Sequence, residues 1–347
     1  MKAERCSLSV VLACLALVLC SFSAVAEEVF FQHGTDRLEA VHLLPTRPAN
    51  HRGIIVFVHG DGPLDYEAVG YYPLIWNFLR DQGFAIFSWS KPGVGSSSGQ
   101  WLDQSMFDRQ SEVRAAIHFI QKKYHYTGQQ IGLLGFSQAG WVVPAVANHN
   151  PEVGFVVGIG FAMDWTSQSW YLSKIRLISA GKTAAEIDLA YEQHLNGIRR
   201  LKQTPTYQQY RRHNKSAPNL MSEQRYGFVA KNFQANAYED YKDLQQPLLI
   251  LLGEQDLNVD INDTKEKLLT LFAHQNNLQV SIIPSATHGL LRAKTFNQQS
   301  PGFLFWLKLM WKGEAALAPD FLPVLGEWIT RVSTVSRDHS KQTDIAH

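Results

Sequence analysis

The sequence predicts a doubly wound α/β sheet that carries an inserted helical segment. Three observations lead there. Apolar runs at residues 53–58, 84–89, 131–134, 153–160 and 247–253 alternate with stretches of helical spacing. Continuous runs of this kind suit parallel strands covered on both faces. From 164 to 243 the rhythm stops, and roughly eighty residues without a buried-strand signal are too many for a plain loop. Finally, several runs end in turns rich in Gly, Ser, His or Asp, where an open parallel sheet collects its chemistry.

Taken in order, the chain begins with Lys2 and Arg5, then an apolar run over 8–20, then Ala24-Val25-Ala26. This is the layout of an export signal over 1–26, cleaved after Ala26, for a periplasmic or secreted protein. An uncleaved anchor has a similar signature. Cys6, Cys14 and Cys20 are the chain's three cysteines and all lie in that segment. The mature chain is therefore expected to hold no disulfide and to depend on its core. Loss of Lys2, Glu4 and Arg5 leaves it neutral, against a formal +1 for the whole chain. That balance argues against a nucleic-acid partner, and no membrane span is expected after cleavage.

Residues 29–32 and 38–44 read as two early strands joined at His33-Gly34-Thr35-Asp36. Helices are expected over 71–80 and over 107–124, where Val113, Ile117 and Ile120 share a face. Inside the insertion, 171–180 and 184–201 read as helices. A helix over 263–274, a strand over 278–284 and apolar helices over 303–311 and 321–333 complete the fold. The polar residues 336–347 are expected to form a disordered tail. The organisation is thus a core of 27–163 and 244–335 with a helical cap at 164–243.

The chemistry centres on Gly135-Phe136-Ser137-Gln138-Ala139. A strand, a sharp turn with serine at its tip and a following helix make a nucleophile elbow. The usual second glycine is Ala139 here, with Gly140 next. A serine hydroxyl needs a base, a group to orient that base, and donors for a developing oxyanion. His288, in the loop after the last strand, is the candidate base. Asp256, past the preceding strand, is the candidate acid, with Asp260 and Glu254 as alternatives; Asp263 reads as a helix cap. The backbone N–H groups of Gln138 and Asp61 are the candidate oxyanion donors, the second from the turn His59-Gly60-Asp61-Gly62. The carboxylates and histidines lack metal-ligand spacing.

With these motifs the chain resembles the α/β-hydrolase superfamily, nearer its bacterial esterase, dienelactone-hydrolase-like and serine-aminopeptidase-like branches. The residues carrying the resemblance are His59-Gly60-x-Gly62, Lys91-Pro92-Gly93-Val94-Gly95-Ser96, Gly135-x-Ser137-x-Ala139, Gly253-x-x-Asp256 and His288-Gly289. The 91–96 loop is similar to that family's D-x-R-G-x-G-x-S turn, with Ser90 and Pro92 as departures, and is read as structural. The resemblance implies a mostly parallel sheet with helices on both faces, and acyl transfer through Ser137 without a cofactor. The expected substrate is a small ester or acyl compound. Amides, thioesters and acyl transfer to other acceptors are rivals within the class; a non-catalytic binding module is the rival outside it. Trp165 and Trp170 are candidate pocket residues. Arg199, Arg200, Lys202, Arg211, Arg212 and Lys215 form a basic cluster that suits either a solvated face or an anionic substrate.

Overall fold

The computed structural model describes residues 26–203, 206–215 and 220–344. The expected leader therefore falls, but for Ala26, outside the described residues. Eight strands form one sheet: β1 (Ala26–His33), β2 (Asp36–Leu43), β3 (Gly53–Val58), β4 (Phe84–Trp89), β5 (Ile131–Phe136), β6 (Val153–Ile159), β7 (Leu248–Gly253) and β8 (Leu278–Ile283). Their order is β1-β2-β4-β3-β5-β6-β7-β8. The β1–β2 hairpin joins β4 antiparallel, and every pairing from β4 to β8 is parallel.

Period-two alternation feeds two cores. In β3, Ile54, Val56 and Val58 enter one cluster and Ile55 and Phe57 the other. The first face is covered by α2 (Met106–Tyr124) and α3 (Val143–Asn148), the second by α1 (Pro73–Asp81) and α12 (Phe321–Asp344). The chain winds outward from β3 in one direction and from β5 in the other. A crevice therefore opens between the carboxyl ends of these two strands. The His59–Gly62 turn leaves β3 there, and Ser137 leaves β5 there.

Between β6 and β7 lie α4 (Trp165–Ser179), α5 (Ala184–Leu201), α6 (Tyr207–His213), α7 (Glu223–Asn232) and α8 (Tyr238–Lys242). Their starts are written in the sequence. Asp164, Thr183, Thr206 and Ser222 each cap a helix by accepting from a backbone N–H in its first turn. The insertion is not uniform. Only Trp165 is buried on α4, and nothing is buried on α5 or α6. In contrast, Phe228 of α7 and Tyr241 of α8 are fully buried in the cluster beneath the sheet. The insertion expected as one cap thus ends in two helices that belong to the core.

After β7 come α9 (Ile261–Leu271), α10 (Ala293–Phe296) and α11 (Phe303–Lys312). Asp260, not Asp263, caps α9, accepting from the N–H groups of Asn262 and Asp263 at 3.2 Å each. The tail expected to be disordered from 336 instead continues α12 to Asp344. No Gly or Pro follows Gly326 to stop that helix.

Candidate active site

Ser137 sits at the start of a short 3-10 turn directly after β5, with φ +50°. An L-residue in this left-handed region is strained by about 1–2 kcal/mol, and such strain collects at functional turns. The turn is possible because its neighbours are small. A Cβ at Gly135 would lie 2.8 Å from Phe161 Cζ and 2.9 Å from Ala139 Cβ. Alanine fills the second small position, so a glycine there is dispensable.

His288 and Asp256 meet. His288 Nδ1 and Asp256 Oδ2 are 2.8 Å apart. Asp256 is 5% exposed, and its other oxygen accepts from the N–H groups of Asn258 at 2.7 Å and Val259 at 2.9 Å. The alternatives are engaged elsewhere: Asp260 caps α9, and Glu254 accepts from Ser285 N at 2.8 Å. Burial pushes the His288 pKa down, but the charge and hydrogen bond of Asp256 more than offset it. The net shift is upward from 6.5. Two contacts hold the loop. Tyr71 donates to Gly289 O at 2.6 Å, and Gly160 leaves room for the ring, since a Cβ there would lie 2.7 Å from His288 Cε1.

The turn after β3 is fixed from behind by buried cations. Lys91 Nζ donates to Gly60 O at 2.6 Å. Arg109 donates through one nitrogen to His59 O and through the other to Gln138 Oε1 at 2.7 Å, joining both turns. Gly60 O and the Asp61 N–H belong to one peptide plane and point in opposite directions. The Lys91 bond therefore sets where the Asp61 N–H points. The 91–96 loop, expected to be only structural, thus reaches the site. Burial, with Arg109 nearby, holds the Lys91 pKa well below its usual value. Burial likewise lowers His59 to about 3, which leaves it neutral.

Ser137, Gln138, Asp61 and His288 border one cavity of about 1730 Å³. Trp165 lines it too, stacked on Trp141 at 5.1 Å. Trp170 does not. It packs on Tyr191 at 4.7 Å and His194 at 5.7 Å, against α5. Five residues along α4 is about 140° around the helix, so the two tryptophans take different faces. Of the basic cluster only Arg200 lines the cavity, and all six side chains are exposed. Asp61 holds Arg225 of α7 through two hydrogen bonds, at 2.9 and 2.6 Å. The parts played here by Arg109, Lys91 and Arg225 are not expected from the sequence analysis, which reads Lys91 only as part of a structural loop. Arg109 had a signal, since it occupies an inward position on the face of Val113, Ile117 and Ile120.

Sheet, strained turn and acid–histidine pair together define an α/β-hydrolase. The sequence model of the family described as serine aminopeptidase, S33, matches residues 49–295, and the chain belongs to that family. No curated protein matches the sequence. Among solved structures, an esterase of Pyrococcus furiosus is 12% identical, with TM-score 0.56, covering 89% of this chain and 91% of the other. A proline iminopeptidase of Mycobacterium smegmatis is 14% identical, with TM-score 0.57, covering 89% and 100%. The ferulic acid-bound protein Est1E of Butyrivibrio proteoclasticus is 16% identical, with TM-score 0.50, covering 83% and 99%. At these identities the likeness is one of fold.

Proposed function

We propose that this hydrolase cleaves carboxylic esters through an acyl-enzyme on Ser137, in an exported protein. His288 takes the serine proton on Nε2, because Nδ1 is held by Asp256. Asp256 keeps the imidazole in that tautomer and stabilises its charged form. The N–H groups of Gln138 and Asp61 receive the oxyanion. The imidazolium passes that proton to the departing alcohol as the acyl-enzyme forms, and water, activated by the same histidine, then releases the acid.

One observation favours esters over peptides with a free amino terminus. Among the described residues that line the cavity, Asp61 is the one carboxylate, and Arg225 occupies both its oxygens. A substrate ammonium would be desolvated there without a counter-charge, at a cost of several kcal/mol. A screen of p-nitrophenyl esters, acyl thioesters and aminoacyl anilides tests the reading. Esters are expected to exceed aminoacyl anilides in kcat/KM by at least about 100-fold, the size of a 2.7 kcal/mol difference. A preference for the anilides overturns it.

The raised His288 pKa sets a pH dependence. The neutral imidazole is the active form, so kcat/KM should rise with pH through a midpoint above 6.5. A midpoint below that value argues against His288 as the base.

A further inference from the structure

Helix α11 presents the most apolar exposed face of the described chain. Phe303, Leu304, Leu307, Met310 and Trp311 are between 49% and 82% exposed. At 3.6 residues per turn these five fall within an arc of about 120°. Large aromatic side chains alone carry on the order of 150–250 Å² each, and a patch of this kind on a soluble protein marks a partner. The opposite face of the same helix is not idle. Phe305, Trp306 and Leu309 line the cavity that holds Ser137.

The charges nearby are one-sided. Residues 292–316 carry Arg292, Lys294, Lys308 and Lys312 against the single acid Glu314. Lys308 lies about 40° beyond one edge of the apolar arc and Lys312 about 80° beyond it, and the long stem of Lys312 brings its Nζ to 5.5 Å from the Trp311 ring centroid. Lysines are depleted where protein meets protein. They are favoured where a helix lies in a headgroup layer, with apolar stems buried and ammonium groups at the phosphates. Ten residues make a helix of about 15 Å, too short to span a bilayer but suited to lying along it.

We infer that α11 docks this protein on an anionic lipid surface, with the mouth of the active-site cavity beside the membrane. Phe303 and Trp311 enter the acyl boundary, and Lys308 and Lys312 meet the phosphates. The delivery of lipid-borne esters into the cavity rests on the esterase reading above; the docking itself does not.

The test is co-sedimentation of the purified protein with vesicles of phosphatidylcholine, with and without phosphatidylglycerol. The protein should pellet with the anionic vesicles and be released by high salt. The double variant Phe303→Glu, Trp311→Glu should bind at least about tenfold more weakly, because both apolar anchors are replaced by carboxylates that an anionic surface repels. Its thermal midpoint and its turnover of a soluble short-chain ester should match wild type, since neither residue borders the cavity. The variant Lys308→Gln, Lys312→Gln should lose the preference for anionic lipid. Ser137→Ala should bind as wild type does, which separates docking from catalysis. Wild type remaining in the supernatant overturns the proposal, as does a glutamate variant that binds equally. So does a wild-type dimer that the glutamate variant converts to monomer, since the face would then cover a second copy.

Discussion

Replacing Ser137 with alanine is expected to lower ester hydrolysis by on the order of 10⁴- to 10⁶-fold, with only oxyanion stabilisation and binding left. Labelling by a fluorophosphonate probe should vanish with it. The fold should not suffer, because the elbow is held by Gly135, Ala139 and Phe161 rather than by the hydroxyl. The backbone supplies a second readout. At φ +50° any Cβ is strained. Ser137→Gly should therefore be as inactive as the alanine variant yet more stable than it by about 1 kcal/mol. Thermal unfolding of the two variants, beside their kinetics, checks both parts. Labelling of Ser137→Ala at the wild-type rate would remove the serine from the mechanism.

Asp256→Asn should cost about 10⁴-fold in kcat, because an amide no longer holds the productive tautomer or balances the imidazolium. The neighbouring carboxylates provide the control. Asp260→Ala should leave kcat within a few-fold and lower stability by about 1 kcal/mol through loss of the α9 cap. Glu254→Gln should also spare kcat, as its carboxylate serves the Ser285 N–H. If Asp260→Ala abolished activity and Asp256→Asn did not, the acid would have to be moved.

Much of this site could be read in the chain alone, for identifiable reasons. Parallel strands buried on both faces appear as unbroken apolar runs, so β3 to β7 and the loops after them were placed at once. Loops that leave the carboxyl ends of such strands converge, so Ser137 and His288 are candidates legible in the sequence, and both line one cavity. The acid was harder. Asp256, Asp260 and Glu254 share one loop, and only the path of its backbone decides which carboxylate meets an imidazole. Trp170 misled because nearness in sequence is not nearness around a helix. Lys91 reads only as part of a structural loop because its partner is the Gly60 carbonyl, and a carbonyl has no signature in a sequence. The last two helices of the insertion look polar overall, and a few aromatic contacts, at Phe228 and Tyr241, fix them to the core.

The ion pair between Asp61 and Arg225 has a consequence for altering this enzyme. Under the proposed mechanism the turn that receives the oxyanion and the helix that bounds the cavity share a component. A change at Arg225 made to admit a different substrate would also disturb the donor that sets the rate. Selectivity and turnover are tied together through α7. Along α4 and α5, which contribute Leu172, Arg176 and Ile198 to the same cavity and lie outside the Asp61–Arg225 pair, they can be adjusted separately.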